Sequence, residues 1–454
     1  MKRKTGPAPR VRMTLEEESV CMLGLGYVGL TLGVTLAELG IKVFGVDTNP
    51  ALLKMIRQGK SHFYEKGLDA LLNRTIGRNF TVGPKIPAGK KYNIYIVSVG
   101  TPLHTDKTPN LSSVEGSAAT IAPHLKAGDL VILRSTVPVG TTRKVVLPLL
   151  EKGSGLKAGR DFSLVFAPER TVEGNALREL RELPQIIGGL DERSFIRASM
   201  LFRQTTPTIL KVSTIESAEM VKIMDNTYRD MHFAISNELA LICEKLDLNA
   251  VECIRAANMG YNRTNIPVPS PGVAGACLSK DPYILSDVAH KSGYDSRFVR
   301  LAREINEFMP VHVADRVRQF LETRRKGGKA KIFILGFAFK AKPVTSDTRN
   351  SPTMPLVQEL KKMNAALYGY DPSVLPAVIR EEFGVTPCGL AQGFRNADAV
   401  IMMLNHEQYR EMDIYGLLRS MKRPGLFYDG WQMFNTHDIQ QVEGILHEGV
   451  GLVS

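Results

Sequence analysis

The sequence predicts an α/β protein with two Rossmann-like, doubly wound domains joined by a long central helical region. Three observations lead to this prediction. A strand pattern followed by a glycine turn and a helix begins near residue 19. A helical pattern without glycine or proline runs through the middle of the chain, and a second strand, glycine, helix and strand pattern begins near residue 330. Strands that alternate with helices in this way are typical of parallel sheets covered by helices.

Size and composition are those of a globular protein with two or three compact units. The chain has 454 residues, of which 44% are apolar and 23% are charged. The formal net charge is +12, but lysines and arginines are spread along the chain without a nucleic-acid-binding motif. We therefore expect no nucleic-acid partner. A basic surface suits anionic substrates, although solubility alone would also explain it.

Neither a membrane segment nor a metal site is expected. No run of about 18 apolar residues occurs, and the basic start "MKRKTGPAPRVRMTLEEESV" lacks the apolar segment of a signal peptide. This predicts a cytoplasmic protein without a membrane partner. The five cysteines are scattered and form no CxxC pair, so we expect reduced thiols and no bound metal.

The first glycine turn predicts an NAD site. In "SVCMLGLGYVGLTLGVTLAELGIKVFGVDTNP" a strand ends at Leu23, the glycines follow in GxGxxG order, and Asp47 closes the next strand. Such a turn lets backbone N–H groups approach a pyrophosphate, while the acid accepts both ribose hydroxyls and repels a 2′-phosphate. A turn that only packs a helix on a sheet is the alternative. The predicted cofactor-binding residues here are Gly24, Gly26, Tyr27, Val28, Gly29 and Asp47.

Further strands follow at "YNIYIVSVGTP", "DLVILRSTVPVG", "DFSLVFAPERTVEG" and "PQIIGG". In a parallel sheet the carboxyl ends of the strands line the ligand crevice. This places Thr101, Ser135, Thr136 and Glu169 near a ligand.

The middle of the chain, from about Ser213 to Met259, has helical periodicity. A helix of that length predicts a connection between domains or packing against another subunit. Lys222 and Asn226 lie four residues apart and so share one helix face. They could stabilise a developing oxyanion or belong to a solvated polar stripe. The later pattern "AKIFILGFAFKAKPVTSDTRNSP" lacks GxGxxG, so it predicts a second α/β domain without a dinucleotide.

The stretch "PSPGVAGACLSKDPY" contains the candidate nucleophile, Cys277. Gly272, Gly275 and Ala276 before it would let a substrate approach the backbone. A thiolate is a nucleophile, and a nearby lysine or helix start can lower the thiol pKa. The other four cysteines are expected to be small buried apolar residues. Asp281 fits an N-cap followed by proline, which is compatible with catalysis.

We expect four segments along the chain. These are a flexible or disordered tail (1–17), an NAD-binding domain (18–212), a central helical domain with the cysteine loop (213–325) and a C-terminal α/β domain (326–454).

A family resemblance covers nearly the whole chain after the tail. The ordered motifs are "GLGYVGL", "VSVGTP", "STVPVGTT", "APERTVEG", "AEMVKIMDNTY", "GACLSKDP" and "LGFAFKAKPVTSDTRNSP". This series resembles the nucleotide-sugar 6-dehydrogenases, which include UDP-glucose and UDP-N-acetylhexosamine dehydrogenases. The resemblance implies an NAD-dependent four-electron oxidation of the C6 hydroxymethyl of a UDP-hexose, in a homodimer or higher homo-oligomer. It also implies that the central helical domain (213–325) is a dimerisation domain and that the C-terminal domain (326–454) binds the UDP-sugar.

The resemblance also implies residue roles. Cys277 would form a thiohemiacetal and then a thioester with the sugar carbon. Lys222 and Asn226 would hold the C6 oxygen, while Thr136 and Asp281 would position a water. Carboxylates that assist proton transfer or hydrolysis would be Glu169 and Glu173. Substrate-binding residues would be Glu169, Arg170, Lys222, Asn226, Arg263, Gly272, Gly275 and Lys340, and Arg349 would bind the cofactor.

Departures from the family pattern bear on the substrate. Arg170 after Glu169, and the "DP" after the cysteine, favour an N-acetylhexosamine such as UDP-ManNAc or UDP-GlcNAc. Lys280 is a feature of UDP-glucose enzymes, so a UDP-glucose 6-dehydrogenase is the alternative. A simple hydroxyacid or polyol dehydrogenase would not need Cys277. A non-catalytic module that binds NAD or nucleotide sugars is the alternative from another class.

Overall fold

The structure, a computed structural model, describes residues 18–324 and 328–452. The predicted tail lies outside the described residues. The described chain forms two compact units. The first unit comprises the residues up to Pro102 together with Asn110–Met220, and the second comprises Leu103–Pro109 together with the residues from Val221 onward. The domain boundaries expected above stay a prediction.

In the first unit, the described residues form an eight-stranded sheet. The strands are β1 (Ser19–Leu23), β2 (Lys42–Val46), β3 (Phe80–Gly83), β4 (Ile94–Val97), β5 (Leu130–Leu133), β6 (Ser163–Phe166), β7 (Gln185–Gly189) and β8 (Ile209–Lys211). Their spatial order is β3-β2-β1-β4-β5-β6-β7-β8. Strand β7 is antiparallel to β6, and the other neighbours are parallel. The order reverses between β1 and β4, where open α/β sheets bind ligands.

Helices cover this sheet and complete its apolar core. They are α1 (Tyr27–Glu38), α2 (Pro50–Arg57), α3 (Leu68–Thr75), α4 (Ser112–Ile121), α5 (Leu147–Ser154), α6 (Ala176–Glu182) and α7 (Glu192–Phe202). Strands β4, β5 and β6 are buried along their whole length. Uninterrupted apolar strands of this kind are expected where both faces of a sheet are covered.

The central helical pattern is confirmed, but it is not one helix. Helix α8 (Ile215–Lys245) is 31 residues long and crosses from the first unit into the second at Val221. It ends before α9 (Ala250–Asn258), whose N-cap Asn249 accepts hydrogen bonds from the N–H groups of Val251 and Glu252. Two further helices follow, α10 (Asp281–Lys291) and α11 (Arg297–Arg324).

The second unit carries a parallel sheet of its own, six-stranded within the described residues. The strands are β9 (Ala330–Leu335), β10 (Ala365–Tyr370), β11 (Thr386–Pro387), β12 (Ala399–Met402), β13 (Gly425–Asp429) and β14 (Ile445–Glu448). The helices are α12 (Thr353–Leu360), α13 (Pro376–Phe383), α14 (Leu390–Phe394), α15 (Ile414–Arg419) and α16 (Thr436–Gln440). The order β11-β10-β9-β12-β13-β14 repeats the order of the first six strands of the first sheet. The predicted fold class is confirmed.

Across the described ranges, no helix combines the length and the apolar character that crossing a bilayer requires. The cytoplasmic location stays a prediction.

His447 on β14 is a fully buried imidazole in the second unit. Its ring stacks on Phe427, with centroids 5.5 Å apart and planes at 14°. Neither ring nitrogen has a hydrogen-bond partner among the described residues. Burial lowers the pKa of His447 from 6.5 to about 4. The folded state therefore favours the neutral ring.

We expect His447 to make the second unit less stable as the pH falls from 6.5 towards 4, because unfolding then releases a ring that binds a proton. Relative to His447→Phe, the wild type should lose about 2 kcal/mol of unfolding free energy between pH 7 and pH 5. The only tryptophan, Trp431, lies in this unit, so its fluorescence reports unfolding in denaturant.

The comparison with the variant is needed because Asp429 acts in the opposite direction. Burial raises the pKa of Asp429 to about 6, so its contribution is lost as the pH rises from 3.8 to 6. The expectation for His447 is wrong if wild type and His447→Phe show the same pH dependence.

Candidate active site

The glycine turn after β1 can only be built with glycine at two positions. Gly24 has a φ of +90°, and a Cβ added there would lie 2.9 Å from the carbonyl oxygen of Ser98. A Cβ on Gly29 would lie 1.9 Å from the carbonyl oxygen of Gly24. Gly26, the N-cap of α1, differs because an added Cβ would meet nothing within 4 Å. The turn therefore leaves open space beside the start of α1.

This open space fits the pyrophosphate of a dinucleotide. No side chain among the described residues caps α1, which begins with Tyr27 and Val28. Its first N–H groups are therefore available to an anion. Asp47, which follows β2, accepts hydrogen bonds from the N–H of Leu25 at 2.9 Å and of Asn49 at 2.9 Å. The carboxylate thus lies against the glycine turn, as an acceptor for ribose hydroxyls requires.

The loops after β4 and β5 are tied together by the predicted hydroxyl residues. The Thr101 hydroxyl donates to the carbonyl oxygen of Thr136 at 2.6 Å. The Ser135 hydroxyl donates to the carbonyl oxygen of Val99 at 2.7 Å. Both loops lie at the carboxyl ends of adjacent strands, as the sequence predicted.

Glu219, which sequence reasoning missed, anchors the segment after Thr136. The buried carboxylate accepts hydrogen bonds from the N–H of Gly140 at 2.5 Å and of Thr142 at 2.8 Å, and from the Thr142 hydroxyl at 2.6 Å. Burial raises the pKa of Glu219. The only sequence signal was an acid near the start of the long helix, just after its first turn, and such an acid is too common to indicate this role.

The turn that carries Glu169 is held by hydrogen bonds from the buried guanidinium of Arg134. Arg134 donates through Nη1 to the carbonyl oxygens of Ala167 at 3.0 Å and Pro168 at 3.3 Å. It also donates to Gln185 Oε1 at 2.9 Å, and Gln185 Nε2 donates to Pro168 O at 3.0 Å. Burial lowers the pKa of Arg134 to about 10. Sequence reasoning missed Arg134 and Gln185.

Glu169 itself is mostly buried and accepts a hydrogen bond from the N–H of Thr171. Arg170 and Glu173 are half-buried. Glu169 and Glu173 thus lie four positions apart in one short segment, with Glu169 the more buried of the two.

In the second unit, Lys222 and Asn226 are buried on α8. Their interpretation as a solvated polar stripe is wrong. Asn226 donates through Nδ2 to Asp281 Oδ2 at 2.5 Å, and Lys280 Nζ lies 2.6 Å from Asp281 Oδ1. The structure thus places the predicted amide and carboxylate in direct contact, across 55 positions of sequence.

Asp281 is not the N-cap that the sequence indicated. The N-cap of α10 is Lys280, and Asp281 is the first helical residue, followed by Pro282. Its carboxylate is used by Asn226 and Lys280 rather than by the N–H groups of its own helix. A long-range contact has replaced the local capping interaction.

Cys277 is exposed and lies in the turn just before α10. Its carbonyl oxygen accepts hydrogen bonds from the N–H groups of Lys280 at 3.1 Å and Asp281 at 2.9 Å, which orders the turn. Of the other cysteines, Cys21 is buried as expected, and burial raises its pKa to about 12.

The expectation of burial is wrong for Cys253, which is exposed, and only partly met by Cys243 and Cys388, which are half-buried. Cys253 lies on the short helix α9, whose outward positions the helical pattern did not distinguish from core positions.

The glycines before Cys277 have a packing role. A Cβ on Gly272 would lie 2.4 Å from Cβ of Pro352. On Gly275 it would lie 2.7 Å from Cδ2 of Phe339. The absence of a side chain at these two glycines therefore leaves room for Pro352 and Phe339. Substrate binding by these two glycines stays a prediction.

A second buried network supports the cysteine turn and was missed from sequence. Arg303 on α11 donates to Asp230 Oδ1 on α8 at 2.6 Å and to the carbonyl oxygen of Leu278 at 3.3 Å. Asn306 Nδ2 also donates to Asp230 Oδ1, at 2.9 Å. Burial raises the pKa of Asp230, although the Arg303 charge opposes that shift. Arg303 thus holds the residue next to Cys277.

The remaining predicted cations lie at or near the surface of the second unit. Arg263 is exposed and stacks over the Tyr261 ring at 4.7 Å. Lys340 lies 5.3 Å from the centroid of the Phe339 ring. Arg349 is exposed and pairs with Asp347 at 2.5 Å. Arg263 and Arg349 are thus exposed, whereas Lys340 is half-buried.

Comparison with known proteins decides the family. Profiles of the UDP-glucose/GDP-mannose dehydrogenase family match three parts of the chain. The NAD binding domain matches residues 18–206, the central domain 216–308 and the UDP binding domain 333–436. The chain belongs to this family. It is therefore a nucleotide-sugar dehydrogenase of an NAD-dependent oxidoreductase family.

Individual members of the family are similar to this chain over nearly their full length. UDP-N-acetyl-D-mannosamine dehydrogenase from Pyrococcus horikoshii is 34% identical, with 95% of this chain and 99% of that protein covered. NDP-N-acetyl-D-galactosaminuronic acid dehydrogenase from Ralstonia nicotianae is 33% identical, with 88% and 93% covered. The solved UDP-D-ManNAc dehydrogenase of P. horikoshii superimposes with a TM-score of 0.86 at 33% identity, with 95% and 99% covered. The resemblance identified from sequence is confirmed.

Asp281→Asn should destabilise the second unit by about 1–3 kcal/mol, because an amide NH₂ would then face a buried donor, either Asn226 or Lys280. Asp295→Asn is the matched control, since Asp295 is exposed and pairs with exposed Arg300. The control should change the unfolding free energy by less than about 0.5 kcal/mol. Denaturant unfolding measures both, and equal effects would contradict this account of Asp281.

Proposed function

We propose that this dehydrogenase oxidises the C6 hydroxymethyl of a UDP-N-acetylhexosamine to a carboxylate, through a covalent intermediate on Cys277. The observation that carries the proposal is the exposed Cys277 thiol in a turn hydrogen-bonded to Asp281, whose carboxylate contacts Asn226. Membership of a dehydrogenase family with an NAD binding domain and a UDP binding domain supports the oxidation of a UDP-sugar by NAD. A dehydrogenase that stopped at the aldehyde would have no use for this cysteine.

The reaction has two oxidations and one hydrolysis. The alcohol loses a proton and a hydride to give an aldehyde. The Cys277 thiol adds to the aldehyde carbonyl, with sulfur bonding carbon and the proton passing to oxygen, to give a thiohemiacetal. Loss of a second hydride and a proton gives a thioester. Water then attacks the thioester carbonyl, releasing the carboxylate and restoring the thiol.

Lys222 and Asn226 are proposed to bind the C6 oxygen. A buried cation and an amide donor stabilise negative charge on oxygen better than solvated groups do, since they need no reorganisation. Both side chains are buried on α8. The contact of Asn226 with Asp281 fixes the amide orientation, with Nδ2 as donor to the carboxylate. Asp281 is proposed to act with Thr136 in positioning a water for proton transfer.

Glu169 and Glu173 are proposed as the carboxylates that assist proton transfer and thioester hydrolysis. Glu169 is mostly buried and held within its own turn, which limits the positions its carboxylate can take. General bases gain efficiency from such fixed geometry. Arg170, between them in sequence, is proposed to contact the substrate.

The turn formed by Gly24, Gly26 and Gly29 is proposed to hold the NAD pyrophosphate, with Asp47 on a ribose. When bound, NAD accepts a hydride from the substrate carbon. Thr101, Ser135 and Thr136, with Tyr27 and Val28, are proposed to line the same site. The ties from Thr101 to Thr136 and from Ser135 to Val99 keep the two strand-end loops in place for it.

Cations of the second unit are proposed to bind phosphates. Arg263 and Arg349 are exposed and Lys340 is half-buried, and arginine in particular suits phosphate geometry. Lys340 and Arg263 are assigned to the UDP-sugar and Arg349 to the cofactor.

For the substrate, UDP-N-acetylmannosamine is proposed first. The relative from P. horikoshii carries that name, and Arg170 and the "DP" after Cys277 favour an N-acetylhexosamine. Lys280, paired with Asp281, is the feature that favours UDP-glucose. The relative from R. nicotianae makes an N-acetylgalactosamine nucleotide worth testing as well.

We expect two NADH to form per molecule of UDP-N-acetylmannosamine consumed, with a carboxylate product. The purified protein is incubated with NAD and, separately, UDP-N-acetylmannosamine, UDP-N-acetylglucosamine, UDP-N-acetylgalactosamine and UDP-glucose. NADH is followed by absorbance and the product by mass spectrometry. One NADH per sugar with an aldehyde product would instead support a simple dehydrogenase. If only UDP-glucose is oxidised, the proposed substrate is wrong, but the proposed mechanism is retained.

Cys277→Ser should lower steady-state turnover by on the order of 10³-fold or more while NADH binding is retained. Cys253→Ser is the matched control, because Cys253 is also an exposed cysteine of the second unit and has no proposed role. Full turnover by Cys277→Ser would rule out the covalent mechanism. Binding of both ligands without turnover by the wild type would favour a non-catalytic module.

A homodimer is proposed from an apolar stripe on α8. The stripe consists of the exposed residues Met224, Tyr228, Ile235, Leu239 and Ile242. Their spacings of four, seven, four and three residues place them on one helix face. Exposed apolar residues also occur on α11, at Phe298, Leu301 and Phe308. Contiguous apolar surface of this kind is characteristic of protein interfaces.

Leu239→Asp should convert the dimer to a monomer, because it would bury a charge in the apolar stripe. The molar mass measured by light scattering after gel filtration should then fall from twice the chain mass of 50.1 kDa to the mass of one chain. Leu375→Asp is the control, since Leu375 is 70% exposed and lies before α13, outside the stripe. A monomeric wild type, or a dimer that survives Leu239→Asp, would contradict the proposed interface.

A further inference from the structure

Glu65 is a buried carboxylate of the first unit with several hydrogen-bond donors. Its Oε2 accepts from the N–H of Gly174 at 2.8 Å and from the Tyr27 hydroxyl at 3.0 Å. Its Oε1 accepts from the N–H of Leu177 at 3.4 Å. Gly174 follows Glu173, and Tyr27 is the first residue of α1. Glu65 therefore connects the glycine turn with the segment that carries the candidate carboxylates.

The Tyr27 hydroxyl is a second link between the same elements. Its single proton is shared between two acceptors, the carbonyl oxygen of Val172 at 2.9 Å and Glu65 Oε2 at 3.0 Å. Burial, and then the Glu65 charge, raise the pKa of Tyr27, so the hydroxyl keeps its proton and remains a donor. The ring packs on Phe63 with centroids 5.0 Å apart, which fixes its direction.

The segment Thr171–Gly174 has no helix or strand to hold it, so its backbone depends on these side chains. Glu179 Oε2 accepts from the N–H of Val172 at 2.7 Å. Together with Glu65 and Tyr27, it provides hydrogen-bond partners for backbone groups of this half-buried segment. Glu65 and Tyr27 stand apart from Glu179 because they also tie the segment to the start of α1.

We propose that Glu65 is a positioning residue for catalysis, which acts through Tyr27 and the Thr171–Gly174 backbone to hold Glu169 and Glu173 beside the start of α1. The inference rests on the proposed function for its catalytic consequence. Its geometric part is independent of it. A displacement of about 1 Å at a reacting group can lower a rate by on the order of 100-fold. A single buried carboxylate can therefore matter for turnover without touching a substrate.

Glu65→Gln tests the inference, since the amide keeps the shape but replaces one acceptor oxygen by a donor NH₂ group. Hydrogen–deuterium exchange of the peptide spanning residues 169–177 should become at least about tenfold faster, because the new NH₂ group faces the N–H of either Gly174 or Leu177, which then loses its acceptor. The kcat of NADH formation should fall by about ten- to 100-fold, and the KM for UDP-sugar should change less than kcat.

The control is Glu38→Gln, which also turns a glutamate of the first unit into an amide. Glu38 contacts Arg74 and Arg181 at the surface and has no proposed role in the site. The Glu38→Gln variant should show the hydrogen–deuterium exchange rate of the wild type in the peptide 169–177, and the same kcat. If Glu65→Gln does not fold, Tyr27→Phe replaces it. That change keeps the ring on Phe63, removes the hydroxyl, and should give faster exchange in the same peptide with a lower kcat.

Each outcome decides the inference separately from the proposed function. Unchanged exchange in the 169–177 peptide overturns it, whatever the activity. Faster exchange with a wild-type kcat also overturns the inference. Glu65 would then hold the segment in the wild type, but this would have no effect on turnover. If the wild type oxidises none of the four nucleotide sugars, the proposed function fails, while the exchange result still decides whether Glu65 holds the segment.

Discussion

Hydrogen bonds from backbone N–H groups to buried or half-buried carboxylates hold the loops at the strand ends of this protein. Loops at the ends of buried strands contain N–H groups that lack ladder partners, and leaving such a group unpaired costs about 1–3 kcal/mol. Side chains supply the acceptors. Asp47 accepts from Leu25 in the glycine turn, Glu219 from Thr142, and Asp371 from Phe337 after β9. The same solution recurs in both sheets.

This arrangement links stability to chemistry. A carboxylate that accepts several N–H groups is satisfied even when it is buried, so it can hold a loop rigid close to a ligand site. Asp281 extends the principle to side-chain donors, with an amide and an ammonium group as partners. The proposed covalent mechanism needs rigid loops, because the nucleophile and the groups around it must keep their places through successive steps. The exposed thiol of Cys277 sits in one such ordered turn.

Local patterns were sufficient to predict the fold class and the glycine turn. Periodicity identified the central helices and the two α/β units, and the spacing of Gly24, Gly26 and Asp47 indicated the dinucleotide turn. Local reasoning was misleading where a distant partner competed. Asp281 looked like an N-cap, yet its carboxylate bonds to Asn226, 55 positions away. Lys222 and Asn226 fitted a solvated stripe equally well, and only packing buried them.

The supporting residues could not be found in this way. Glu65 lies 109 positions before Gly174, and Arg303 lies 73 positions after Asp230. Nothing near either residue in the chain distinguishes it from an ordinary surface acid or base. Turn geometry and helix periodicity depend on neighbours in sequence, and they can therefore be predicted from the sequence alone. Which carboxylate is buried against which N–H group depends on how distant segments pack, because burial raises the cost of every unpaired group and so selects the partners.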